Sequence, residues 1–204
     1  ATAVSAVMTA AGRKVGLFTS PHVHYFEERV RVDGEFLSPE VWEQTFAEGF
    51  AAVDRLDAED QRATFFEVTT ALAWCAFRRL ECELAVMEVG LGGRLDATNV
   101  VDPALTVITP VSIDHQQYLG NTLAEIAGEK AGIIKRQVPC IIGPQEDAAL
   151  QVIEAQAARH RAPVLASGQH WHVAEEAGRM VYQDETGLLD LPRPNLLGAH
   201  QISN

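Results

Sequence analysis

Short apolar segments alternate along this chain with longer stretches of helical period, and that alternation limits the fold more than any other feature. KVGLFTS (14–20), LAVMEVG (84–90), ALTVITPVS (104–112), PCIIGPQ (139–145) and PVLASG (163–168) read as strands. Between and before them lie helical patterns. ATAVSAVMTAAG (1–12) is small and apolar, with Gly12 placed to cap its end. Ser38-Pro39-Glu40 opens a helix in which Val41, Trp42, Thr45, Phe46, Gly49, Ala52 and Val53 share a face. The polar link DRLDAEDQRA leads to FFEVTTALAWCAFRRL (65–80), and two further helices are expected over 122–135 and 147–160. Strands and helices in this order predict an α/β domain, with a mostly parallel, doubly wound sheet and helices on both faces. After residue 170, WHVAEE, Gly178 and RMVYQD predict a short antiparallel hairpin, and LPRPNLLGAHQISN holds no finished element.

The bulk properties narrow the partners. Of 204 residues, 47% are hydrophobic and 22% charged, which can fill a core. A formal net charge of −12 argues against nucleic acid or an anionic membrane surface as main partner. It leaves anionic small molecules open, because a metal ion or local Lys and Arg can reverse the sign inside one cleft. Cys75, Cys82 and Cys140 form no CxxC pair, so neither a disulfide framework nor a zinc knuckle is expected. No stretch reaches the ~18 apolar residues of a membrane span and no charged-then-apolar leader opens the chain, so a soluble cytoplasmic protein is expected.

In doubly wound sheets ligands gather beyond the carboxyl ends of the strands. The first strand here ends in Thr19-Ser20-Pro21-His22, the second in Glu88 and a Gly-Leu-Gly-Gly turn, and the third in Ser112, Asp114 and His115. EVGLGGRLDATN (88–99) is the odd stretch: a strand that only packs has no need of a carboxylate at its last position. Hydroxyl, carboxylate and imidazole at successive strand ends point to a metal or phosphate site, and oxygen donors suit Mg²⁺. A dinucleotide fingerprint is excluded, because GxGxxG would need glycine where Leu95 stands. In NTLAEIAGEKAGIIK (121–135), Thr122 and Glu125 form a capping box, and Lys130 shares a stripe with Leu123, Ile126 and Ala127. That lysine either snorkels to the rim or aims into a site. His170 and His172 read as exposed hairpin residues, Trp42 and Trp74 as core, and Arg78 and Arg79 as solvated charges at a helix end.

TSPHVHYFEERVRVDGEFLS, TFFEVTTALAWCAF, EVGLGGRLDATNVVDP, SIDHQQYLGNTLAEIAGEKAGIIK and HQISN together resemble the folylpolyglutamate synthase and dihydrofolate synthase family, of the Mur-ligase group. The resemblance runs over residues 1 to about 145 and returns at 198–204. It implies an ATP-dependent amide ligase of folate biosynthesis and one-carbon metabolism. ATP phosphorylates a pteroate or folate carboxylate, and L-glutamate then attacks the acyl phosphate. By resemblance, Ser20, Glu88, His115 and a carbamylated Lys130 hold Mg²⁺, and Lys130, His115 and Glu88 are the catalytic set. Thr64, Phe65, Phe66, Glu67, Leu95, Asp96 and Ala97 line the pteroate site, and Asn204 meets the nucleotide. Burial on the apolar stripe favours the neutral amine that CO₂ needs.

The family's glycine-rich phosphate loop is expected directly before ATAVSAVM, and its C-terminal domain after Asn204. Residues 1–204 are therefore expected to be part of a Mur-ligase-type ATP-binding domain, inactive alone and monomeric when full length. The expected partners are ATP, L-glutamate and dihydropteroate or a folate, with no nucleic acid and no membrane. A pteroate-binding pseudoenzyme and a peptidoglycan Mur ligase are the alternatives. Whether the parent makes dihydrofolate, extends polyglutamates or does both stays open.

Overall fold

The computed structural model describes residues 1–193, and the chain divides into two compact units. The first comprises Ala1–Leu91 with Asp96–Val100, and the second Gly92–Leu95 with the chain from Val101 onward. Among the described residues no helix is long and apolar enough to cross a membrane.

In the first unit, helix α1 (Thr2–Ala10) leads into strand β1 (Val15–Phe18), every residue of which is buried. A hairpin follows, β2 (Val30–Val32) and β3 (Glu35–Phe36), then helices α2 (Pro39–Ala58) and α3 (Phe65–Arg79), then strand β4 (Leu84–Met87). The sheet order is β3-β2-β1-β4, with β1 parallel to β4 and antiparallel to β2. The parallel pair is the expected one. The antiparallel hairpin was not foreseen, because Val30 to Phe36 sits in the charge-dense run EERVRVDGEF. Asp33 and Gly34 both have positive φ (53° and 84°), the signature of a tight hairpin turn, and Asp33 Oδ1 accepts from the Val15 N–H at 2.8 Å.

The core of this unit joins Phe18, Val30, Leu37, Trp42, Ala73, Ala76 and Phe77, with Trp74 and Phe66 packed against it. Helix α2 runs past the expected end at Val53, because Arg55, Leu56 and Ala58 are good helix formers. Ser38 caps it as expected, its Oγ accepting from the Val41 N–H. Arg78 and Arg79 are not simply solvated: both pair with Glu48 on α2, Arg79 at 3.1 Å, and Arg79 also donates to Gln44 at 3.0 Å.

The second unit holds strand β5 (Thr106–Ile108), helices α4 (Gln116–Leu119) and α5 (Leu123–Ala131), strand β6 (Cys140–Ile142), helix α6 (Asp147–His160) and strand β7 (Val164–Ala166). Strands β5-β6-β7 form a fully parallel sheet in that order. Its core joins Ile108, Ile126, Ala127, Ile134, Ile142, Ile153 and buried alanines of α5 and α6. Cys140 lies in that core, where burial raises its thiol pKa, and all three cysteines are free thiols.

The predicted hairpin is present as β8 (Trp171–Glu176) and β9 (Arg179–Asp184), and a third strand, β10 (Gly187–Pro192), extends it to an antiparallel sheet ordered β10-β9-β8. Helix α5 is shorter than expected. It stops at Ala131, after which the Gly132 and Ile133 N–H groups reach back only three residues, to the Glu129 and Lys130 carbonyls, each at 3.3 Å.

Candidate functional site

Strands β1 and β4 run parallel in register, Phe18 opposite Met87, so their carboxyl ends emerge side by side. The Glu88 N–H continues the ladder to the Phe18 carbonyl at 3.0 Å. One residue beyond β1, Thr19, leads to Ser20, whose N–H donates to Glu88 Oε2 at 3.1 Å. The two strand-end residues singled out in the sequence are thus brought together. Ser20 keeps its hydroxyl and Glu88 its second carboxylate oxygen, two hard oxygen donors at one sheet end. Both residues are half-buried.

The loop after Ser20 is held by its own charges. The Glu28 carboxylate accepts from the N–H groups of Val23 (2.7 Å), His24 (2.9 Å) and Tyr25 (2.9 Å). These donors, Val23 foremost and then Tyr25, hold its pKa down at about 2 against an ordinary 4.5. Thr19 ties to the other side of the loop, its N–H to the Arg29 carbonyl at 3.0 Å and its Oγ1 to the Glu28 carbonyl at 3.3 Å. Glu28 and Arg29 were missed in the sequence, where EERVR reads as solvated charge. The position of Glu28 three residues after Tyr25, where a carboxylate can reach back to the N–H groups that open a helical turn, was the available signal.

The Gly-Leu-Gly-Gly turn is a packing device. In the first unit a Cβ on Gly90 would lie 2.5 Å from the Phe66 ring. In the second, a Cβ on Gly93 would meet the Glu129 and Lys130 carbonyls at 2.9 and 3.0 Å, so only glycine lets the turn approach the end of α5. Arg94 then donates to the Glu129 carboxylate at 3.0 and 3.1 Å.

Asp96 is the organiser of the stretch. Oδ2 accepts from the Gly90 and Leu91 N–H groups, both at 3.0 Å, and Oδ1 from the Thr98 N–H at 2.9 Å and hydroxyl at 2.6 Å. Beside it Leu95 is exposed, and Ala97 begins a 3-10 turn (Ala97–Val100).

Thr64 to Glu67 start α3 with a reciprocal cap. Thr64 Oγ1 accepts from the Glu67 N–H at 3.2 Å, and Glu67 Oε2 accepts from the Thr64 N–H at 2.7 Å, which lowers the Glu67 pKa. The cap leaves Phe65 exposed, while Phe66 turns inward toward Phe18 at 5.8 Å between ring centroids.

In the second unit, His115 caps α4 in the left-handed conformation (φ 49°), its imidazole 3.6 Å from Asp114 and largely exposed. Lys130 is half-buried in the last turn of α5, on the helix whose buried face is Ile126, Ala127 and Ala131. Among the described residues no carboxylate pairs with it. Asn204 lies outside the described residues. Among those described, no three His, Cys, Asp or Glu side chains cluster as an all-protein metal cage requires. Mg²⁺ makes no such demand, being held by one or two carboxylates together with phosphate oxygens.

Residues 40–204 match the family described as Mur ligase middle domain. The chain belongs to that family. It is 39% identical over 208 residues to the dihydrofolate synthase/folylpolyglutamate synthase of Bacillus subtilis, covering 98% of this chain and 48% of that protein. The fold matches that of a solved FPGS–AMPPCP–folate complex with a TM-score of 0.91 at 38% identity, covering 100% of this chain and 51% of the other. The folylpolyglutamate synthase of Mycobacterium tuberculosis, solved with ADP and AMPPCP, matches with a TM-score of 0.88 at 38% identity, covering 98% and 48%. The chain spans about half the length of the curated relatives it matches first.

Proposed function

We propose that this Mur ligase chain is part of the ATP-binding domain of a ligase that joins L-glutamate to dihydropteroate, to a folylpolyglutamate, or to both. The observation that carries the reading is the Ser20–Glu88 pair at the carboxyl ends of parallel strands, in a chain similar to enzymes of that name. In the proposed reaction a carboxylate oxygen of the pteroate or folate attacks the γ-phosphorus of ATP, and the bond to the ADP oxygen breaks. The α-amine of glutamate then attacks the acyl carbon, the phosphate leaves, and a proton leaves the nitrogen. Both steps concentrate negative charge, so the site must supply cations and N–H donors.

Ser20, Glu88, His115 and Lys130 carried as a carbamate are the proposed ligands of Mg²⁺, which when bound neutralises charge on the transferring phosphoryl group. The free oxygens of Ser20 and Glu88 fit such a hard ion. Thr64, Phe65, Phe66, Glu67, Leu95, Asp96 and Ala97 are the proposed pteroate-binding set, and Asn204 a nucleotide contact. In support of that set, Phe65 is exposed and offers surface for a flat ring, while Glu67 and Asp96 also hold local backbone N–H groups. The test is an assay of the full-length protein for ADP release with dihydropteroate and with tetrahydrofolate, each with and without glutamate. Release that needs both a folate-type acid and glutamate is expected. Release driven instead by a muramoyl-peptide acceptor would overturn the reading.

A further inference from the structure

Arg29 is the one buried charged residue among those described, 7% exposed. A buried guanidinium normally faces a carboxylate, because an unpaired charge away from water is costly. Among the described residues none pairs with it. Its Nε–H donates instead to His22 Nδ1 at 2.8 Å, and its guanidinium carbon lies 5.3 Å from the centre of the Phe65 ring. Burial lowers its pKa from the usual arginine value. Arginine nonetheless remains a donor with no acceptor capacity. Nδ1 of His22 must therefore carry the lone pair, and the ring proton sits on Nε2. Phe26 closes one side of the imidazole, edge to face at 6.3 Å. His22 is two residues from Ser20, on the loop that Thr19, Glu28 and Arg29 tie down.

We propose that Arg29 is a positioning residue that holds His22 as a fixed Nε2–H donor for the anion handled beside Ser20, the substrate carboxylate and the acyl phosphate made from it. The inference rests on the ligase reading above and adds a residue pair to it. A neutral donor on a tied loop suits an anion whose charge grows during reaction, because it needs no reorganisation as the charge forms. The alternative role for Arg29 is purely structural, as a plug between the loop and the first turn of α3.

Three variants of the full-length protein separate these roles. His22→Asn keeps an acceptor near Arg29 and removes the distal donor; Arg29→Met removes the clamp; the third variant carries both changes. Arg29→Met is expected to lower kcat about 10- to 100-fold, as loss of a partner that orients a functional histidine does, and His22→Asn about 100-fold or more, as loss of a donor to a developing anion does, each with KM for ATP little changed. The double variant is expected to be no slower than His22→Asn, since Arg29 acts through His22. Nitrogen-15 spectra of the histidines, recorded without substrate at mildly alkaline pH, should show His22 protonated on Nε2 in the parent and mixed between tautomers in Arg29→Met. An active parent whose His22→Asn variant keeps full kcat overturns the proposal, as does a parent His22 protonated on Nδ1. A parent that ligates no folate-type acid is instead the failure of the ligase reading, which the spectra do not depend on.

Discussion

Replacing Asp96 by asparagine looks conservative and should not be. The carboxylate accepts four hydrogen bonds, two on each oxygen, and every donor is an N–H or O–H pointing at it. Asparagine keeps one acceptor oxygen and turns the other corner into a donor, so one pair of N–H groups must face an NH₂. Thr98 is buried, so its donors cannot be rehydrated, whereas Gly90 and Leu91 are exposed. The oxygen of asparagine is thus expected to stay with Thr98, and the Gly90–Leu91 turn to swing toward water. Hydrogen bonds to a charged acceptor contribute about 1.5–3 kcal/mol each, and hydration recovers much of that for the exposed pair. A loss of about 1.5–3 kcal/mol is expected for Asp96→Asn and roughly 2–4 kcal/mol for Asp96→Ala, which strands the Thr98 donors as well. The assay is urea unfolding of the first unit, followed by the fluorescence of Trp42 and Trp74 in a Trp171→Phe background. Amide exchange should speed up first at Gly90 and Leu91. An asparagine variant within about 0.5 kcal/mol of the parent, the range of an ordinary surface change, would refute the reasoning.

Further outcomes follow from the charges. Glu28 has its pKa lowered from 4.5 to about 2 by the Val23, Tyr25 and His24 N–H groups, so its contribution to stability is complete above pH 4.5 and is lost as pH falls toward 2. A carboxyl-carbon titration by NMR should place its midpoint near 2, and a midpoint near 4.5 would mean the loop bonds do not persist in solution. If Lys130 carries the proposed carbamate, Lys130→Ala in the full-length protein should be inactive and partly restored by a short carboxylic acid such as acetate standing in for it; a fully active variant rules the carbamate out.

The helices and the parallel strands were legible because each carries a strong period or a cap. Thr122 with Glu125 announces its helix and the cap is formed, and the structure shows the same cap at Thr64 and Glu67, which the sequence reading assigned only to a binding set. Strands β2 and β3 were hidden because they are three and two residues long, too short for the Val-Arg-Val alternation to stand out, although Asp33–Gly34 marked the turn. Strand β10 was hidden for another reason: GLLDLP ends in a proline that fits only a strand edge, and its leucines are largely exposed. At the candidate site, the meeting of Ser20 with Glu88 was anticipated because a carboxylate closing an apolar strand is conspicuous. Arg29 could not, because nothing in ERVRV tells a buried arginine from a solvated one. Only the fold places it against Phe65 and His22. The local bonding of Asp96 was likewise masked, since nothing in the sequence shows that one loop aspartate accepts four donors.

Glu88→Gln in the full-length protein tests the central claim most directly, because the amide keeps size and one acceptor for the Ser20 N–H while removing the charge. Steady-state release of ADP with a folate-type acid and glutamate should fall about 100-fold or more, equivalent to roughly 2.7 kcal/mol of barrier, with far-ultraviolet circular dichroism unchanged. A folded Glu88→Gln enzyme that turns over at the parent rate would contradict the account.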